Sequence, residues 1–177
     1  MKLNAKQLRK SKPLKKELKI IKRNPIYFVL DEIYDTFNIG SLFRLADAAA
    51  LEKIYLCGEM EYPPSSRIHK AAIGTENWVP WEKVDSTLKL ILKLKAQGVL
   101  IIAVEQHKKS TDYRLLTSDR IRFPVALVLG NETQGVKKEI IDLSDLIVEI
   151  PMLGINKSFN VWGTAAVITY KILENLK

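Results

Sequence analysis

Asn38, Arg44, Glu132, Ser158 and Asn160 are polar residues set in or beside apolar segments, in loops and helix starts that each follow a strand-like run. The planar fork of Arg44 suits a phosphate or carboxylate. It stands among Leu42, Phe43, Leu45 and Ala46, where an arginine is otherwise a solvated or snorkelling residue. Ionised Glu132 only accepts hydrogen bonds, so it either orients a polar partner or serves as a turn or cap residue. Ser158 is placed to cap a following helix. Asn160, between Phe159 and Val161, must find partners if buried, and a ligand hydroxyl or a neighbouring loop carbonyl would satisfy it. Asn38 precedes Arg44 by six residues, and as a helix cap it would bring both near one strand end. Such a set orients and stabilises a polar reacting group, which points to an enzyme.

Two apolar runs position most of these residues. Val125–Leu129 breaks into Gly130-Asn131-Glu132, and Ile147–Ile150 breaks into Pro151-Met152-Leu153-Gly154. A buried strand ending in such a loop frees backbone donors and acceptors just beyond its last paired residue. The two loops read as two walls of one site, and Asp35–Arg44, after the strand Ile26–Leu30, supplies a third. Gly130 would let the backbone approach a cofactor closely, and Gly154 would allow a sharp change of direction. Gly130–Gly135 has neither the spacing of a dinucleotide fingerprint nor the Lys-Ser/Thr ending of a phosphate-binding loop. That disfavours a nicotinamide oxidoreductase and an ATPase.

The remaining chain alternates strand and helix periods. Helices are predicted over Phe37–Ala50, Ser65–Ile73 with Gly74 as stop, Ser86–Gln97, Val136–Ile141 and Ser158–Leu176. Within Ser86–Gln97, Leu88, Ile91, Leu92 and Leu94 are assigned to the packing side. Strands are predicted over Ile26–Leu30, Ile54–Cys57, Val99–Val104, Val125–Leu129 and Ile147–Ile150, with Trp78–Trp81 edge-like or irregular because Pro80 cannot donate to a ladder. This order implies an α/β fold with a mainly parallel sheet and helices on both faces. Ile168, Ile172 and Leu176 form a stripe that would pack on the sheet or on a partner.

A chain of 177 residues, 47% hydrophobic and 27% charged, fits one domain with a sizeable core. Its apolar stretches are shorter than the ~20 residues of a membrane span, so a cytoplasmic location without membrane attachment is expected. Cys57, the single cysteine, excludes an intrachain disulfide and is expected in the core at a strand end. Residues 1–23 carry ten Lys or Arg and one Glu, a balance of +9 in a chain of net +8. This leader, partly helical or disordered, precedes a domain at 24–177. Lys6, Arg9, Lys10, Lys15, Lys16, Lys19, Lys22 and Arg23 could hold a polyanion through phosphate contacts that specify no sequence. Leu14, Leu18 and Ile21 would form one apolar side of a short helix after Pro13.

Three ordered segments resemble motifs of the SpoU/TrmH branch of the SPOUT RNA methyltransferases: Asn38–Ala48, Leu127–Val136 and Ile150–Val161, the last continuing through Ala165-Ala166. His69–Gly74 is similar to the family's Lys-x-x-x-Gly segment. Phe159 stands where the family usually has Leu, and Thr133 where it usually has a small or acidic residue. The resemblance implies a C-terminal trefoil knot, a homodimer, and S-adenosyl-L-methionine as cofactor. It also implies methyl transfer to a ribose 2′-hydroxyl of RNA, with tRNA the expected partner and DNA not expected. Ribosomal RNA, or a non-catalytic RNA-binding protein of the same fold, are the alternatives. Carried over residue by residue, the resemblance gives Leu129, Gly130, Asn131, Ile150, Met152, Ser158, Asn160 and Val161 to the cofactor. Arg44 becomes the residue that orients phosphate and hydroxyl, with Asn38, Glu132, Ser158 and Asn160 positioning it; no metal is implied.

Overall fold

The computed structural model describes residues 2–176, apart from the side chain of Lys15. Seven strands form one sheet: β1 (Asn24–Asp31), β2 (Leu51–Cys57), β3 (Trp81–Val84), β4 (Leu100–Val104), β5 (Thr111–Asp112), β6 (Val125–Gly130) and β7 (Leu146–Glu149). Their order is β3-β2-β1-β6-β4-β7-β5, and every pairing is parallel. The helices are α1 (Ala5–Lys10), α2 (Lys15–Ile20), α3 (Thr36–Ala48), α4 (Ser66–Ala72), α5 (Thr87–Ala96), α6 (Lys138–Leu143) and α7 (Val161–Leu173).

Side chains alternate across a strand, so a sheet covered on both faces reads as a continuous apolar run. β6 shows this directly. Its Val125, Leu127 and Leu129 join one core with residues of α3, α4 and α7, while Ala126 and Val128 join a second with Leu90, Ile91 and Leu94 of α5 and Ile140 of α6. Cys57 lies in the second core, fully buried, and burial pushes its thiol up to about 12. On α5 the packing side includes Leu90, whereas Leu92 is half-exposed. The periodic reading placed Leu92 one step too far round the helix. Ile168 and Ile172 are fully buried against the sheet, so the terminal stripe is part of the chain's own core.

Local chemistry sets the helix ends. Asp35 caps α3 by accepting from the Phe37 N–H at 2.8 Å; Asn38 lies inside the first turn and is not the cap. Asn160 caps α7 by accepting from the Trp162 N–H at 3.0 Å, so that helix starts at Val161 and Ser158 stays outside it. Gly40 has the shortest possible side chain because a Cβ there would sit 2.5 Å from the Ala71 Cβ, where α3 and α4 cross. Asp145, just before β7, accepts from the Lys95 Nζ at 2.6 Å and the Ile101 N–H at 2.8 Å, tying β7 to α5 and β4.

The leader carries the two short helices α1 and α2. The α1 backbone lies against the body, since a Cβ on Gly74 would meet the Leu8 carbonyl oxygen at 2.3 Å. Leu14, expected on the apolar side of the second helix, is 58% exposed, while Leu18 and Ile21 are half-buried. Arg23 donates to the backbone carbonyls of Leu51 (3.0 Å) and Trp78 (2.7 Å), so this cation anchors the start of β1 and is already engaged.

Candidate active site

In a parallel sheet the carboxyl ends of the strands, where the order reverses, leave a crevice for ligands. Here β1 runs outward to β2 and β3 on one side, while β6, β4, β7 and β5 lie on the other. A cavity of about 580 Å³ opens beyond the ends of β6, β4 and β7, closed by the 150–160 segment and the first turn of α7. Leu129, Gly130, Asn131, Ile150, Met152, Ser158, Asn160 and Val161 all line it. Glu132 lines it too.

The loop after β6 is built by hydrogen bonds. Asn131 Oδ1 accepts from the N–H groups of Thr133 (2.8 Å) and Gln134 (3.0 Å), and its Nδ2 donates to the Glu32 carbonyl at 2.8 Å. Gly130 serves a different purpose from the expected one: a Cβ there would sit 2.2 Å from the Val136 nitrogen, so its small size admits the loop's own returning backbone. Gly135 has φ +71, and a Cβ on it would meet Glu105 Oε2 at 2.2 Å. That carboxylate accepts from the Val136 N–H at 2.8 Å, which holds the loop against the end of β4. Gly154 has neither a left-handed φ nor a close neighbour, so the turn assigned to it does not depend on glycine. Gly163 does depend on it: a Cβ would lie 2.8 Å from the Phe159 ring.

One side-chain chain links all three loops. Asn38, buried in α3, donates from Nδ2 to Glu132 Oε1 at 2.8 Å and accepts at Oδ1 from Asn160 Nδ2 at 3.1 Å. Gln106, after β4, donates from Nε2 to the Lys157 carbonyl at 2.7 Å, which fastens the last loop from the other side. Asn38 therefore acts behind the cavity wall, without lining it. Arg44 lies outside the cavity, exposed on α3 nearly two turns beyond Asn38, on the side that also presents Phe37. Glu105, Gln106 and Glu149 line the cavity and were given no role from the sequence. Each follows or ends a parallel strand, the same signal that marked the β6 loop.

The cavity's charge is specific. Glu105, Glu132 and Glu149 line it, and no Lys or Arg among the described residues does, in a chain of net charge +8. Its remaining walls mix uncharged polar side chains, among them Asn131, Gln134, Asn156 and Thr164, with apolar ones such as Leu129, Ile150 and Met152, which suits a cationic, partly apolar small molecule and opposes a phosphate. Among the described residues no group of three or more His, Cys, Asp or Glu converges as a metal site. No helix among them is long and apolar enough to cross a membrane.

Known proteins share this fold. A protein of Staphylococcus haemolyticus assigned to the TrmH family of tRNA/rRNA methyltransferases is 31% identical over 144 residues, covering 81% of this chain and 56% of that protein. The chain thus spans little more than half of that relative. The AdoMet-bound rRNA methyltransferase of Sinorhizobium meliloti superposes with a TM-score of 0.80 at 28% identity, over 89% of this chain and 59% of that one. The TrmH/SpoU tRNA modifying enzyme of A. aeolicus gives 0.78 at 28% identity, over 97% of this chain and 81% of that one. The sequence profile of the SpoU rRNA methylase family matches residues 25–170, from the first strand through most of α7. With the second and third motif segments lining one cavity at the strand ends and Asn38 of the first hydrogen-bonded behind its wall, the chain belongs to the SpoU rRNA methylase family.

Proposed function

We propose that the chain is an S-adenosyl-L-methionine-dependent RNA 2′-O-ribose methyltransferase acting on tRNA. The observation that carries this reading is the cavity ringed by three carboxylates, with no Lys or Arg among the described residues on its wall, in a basic chain. S-adenosylmethionine bears a sulfonium and an ammonium, which favour such a site, while its adenine fits walls that combine apolar side chains with uncharged polar groups. The residues that would hold it are Leu129, Gly130, Asn131, Ile150, Met152, Ser158, Asn160 and Val161, all on the cavity wall. When bound, it supplies a methyl group already activated for transfer. Arg44 orients the substrate phosphate and 2′-hydroxyl and stabilises charge in the transition state. The Asn38–Glu132–Asn160 chain keeps the three loops in register.

The last loop supports the knot as part of this reading. β7 lies between β4 and β5, yet the chain beyond it returns to Gln106 after β4 and to Asn38 in α3. A homodimer belongs to the same proposal. Tyr34, Phe37, Trp162, Val167 and Tyr170 leave large apolar surfaces exposed on and beside the packed helices α3 and α7. The likeness to the A. aeolicus enzyme, which extends over 97% of this chain and 81% of that one, favours tRNA; the likeness to the S. meliloti enzyme keeps rRNA as the second reading.

Calorimetry with chelator-treated protein tests the cofactor, and binding of S-adenosylmethionine without metal or nucleotide is expected. Methyl transfer to tRNA transcripts and to rRNA, followed by digestion and mass spectrometry, then tests the product. No binding of the cofactor or of its demethylated form would overturn the methyltransferase reading. A methylated base, with ribose untouched, would overturn the 2′-O assignment.

A further inference from the structure

A second cavity of about 520 Å³ lies between the leader and the body, lined by Arg9, Lys10 and Lys12 on one side and by His69, Glu76 and Trp81 on the other. It shares no residue with the cavity at the strand ends, and its charge is the reverse. Its one carboxylate is engaged through one oxygen: Glu76 is 8% exposed and its Oε1 lies 2.5 Å from His69 Nδ1. His69 is thereby held with Nε2 as the ring nitrogen available to a ligand. Glu76 Oε2 is buried without a partner among the described residues, the mark of a polar site whose donors are not all supplied by the chain. Trp81 pairs with Tyr62, ring centroids 6.4 Å apart, giving the cleft an aromatic wall.

Cations, an aromatic wall and a volume suited to one small ligand together describe a nucleotide subsite. We propose that this cleft holds one unpaired nucleotide of the RNA substrate, with its phosphate against Arg9, Lys10 and Lys12 and its base beside Trp81. The inference rests on the reading of the chain as an RNA methyltransferase. It assigns a place to the leader's charge, which otherwise confers affinity without position. The backbone contact of Leu8 with Gly74 fixes the wall that carries these cations.

The test uses the full chain and fluorescein-labelled pentauridylate, followed by anisotropy across a salt series. Lys10→Ala with Lys12→Ala should weaken binding about tenfold at low salt and reduce the log–log salt slope by about 0.7, as expected for one lost phosphate contact on a single strand. Trp81→Leu should weaken binding about tenfold with little change of slope, and Trp81→Phe should recover most of the loss. A labelled abasic oligomer should bind the wild-type chain about as weakly as pentauridylate binds the Trp81→Leu variant. A folded Trp81→Leu chain with wild-type affinity, or an abasic probe that binds as well as pentauridylate, would overturn the proposal. If Trp81→Leu does not fold, a 4-thiouridine probe crosslinked to the wild-type chain decides: adducts at the peptide containing Trp81 support the cleft, and adducts confined elsewhere reject it. Calorimetry with S-adenosylmethionine separates the two levels. Cofactor binding with unaltered RNA affinity in the variants rejects the cleft alone, whereas absent cofactor binding rejects the parent reading.

Discussion

Arg44 and Asn160 show how differently two polar residues beside apolar neighbours can be used. Asn160 was expected to need partners, and it finds two: its Oδ1 caps α7 and its Nδ2 reaches Asn38. Ser158 has equally good capping chemistry, and only the tertiary contact to Asn38 selects Asn160. That choice is invisible in a linear reading. Arg44 has no place in the cavity wall and remains exposed on α3. Its proposed role is therefore confined to the substrate and the transition state. Arg44→Ala should lower single-turnover methylation at least about 100-fold, while cofactor affinity by calorimetry stays within about twofold. A variant that methylates near the wild-type rate would return Arg44 to the solvated surface.

At the scale of elements, Asp145 joins three pieces of secondary structure that are distant in sequence. Burial alone would raise its carboxyl, but the hydrogen bonds from Lys95 and the Ile101 N–H, with the lysine's charge, outweigh burial and hold it below the ordinary aspartate value. A depressed carboxylate contributes stability that is present above its unfolded value, near about 4, and is lost as pH falls through the folded value. Asp145→Asn should cost about 1–2 kcal/mol near neutrality and flatten the acid limb of the stability profile, read by urea melts at a series of pH values. A variant whose profile runs parallel to wild type through the acid range would reject this account. The strands and main helices were legible because their apolar periods agree with their burial. β3 and β5 were not: Trp81–Val84 is a four-residue edge strand after Pro80 with no buried residue, and Thr111-Asp112 is too short to show a period and owes its assignment to pairing with β7. α6 begins at Lys138, two residues after the predicted start, because Val136 is held by Glu105 across the site. The cavity walls could be read from strand ends, whereas Glu105 and Gln106 required the same rule to be applied to β4.

For the whole molecule, the burial of Ile168 and Ile172 moves the expected partner surface away from the terminal stripe and onto the exposed aromatics beside α3 and α7. Phe37, Trp162 and Tyr170 are large side chains left facing solvent within that region, a pattern associated with association surfaces. Sedimentation at low micromolar concentration should give twice the chain mass for wild type, and Phe37→Glu with Tyr170→Glu should shift it to the single-chain mass. A monomeric wild type would reject the dimer. The sheet order has a consequence for how the chain comes into being. β4, the apolar run Leu100–Val104, pairs only with β6 and β7, both of which are made after it. During synthesis this segment has no strand to lie beside until Val125–Gly130 has left the ribosome, and β1 keeps one edge open for the same interval. The order of translation is therefore not the order of assembly: the centre of the sheet closes late, and the nascent chain depends on covering helices or on chaperones to protect its sticky middle until then.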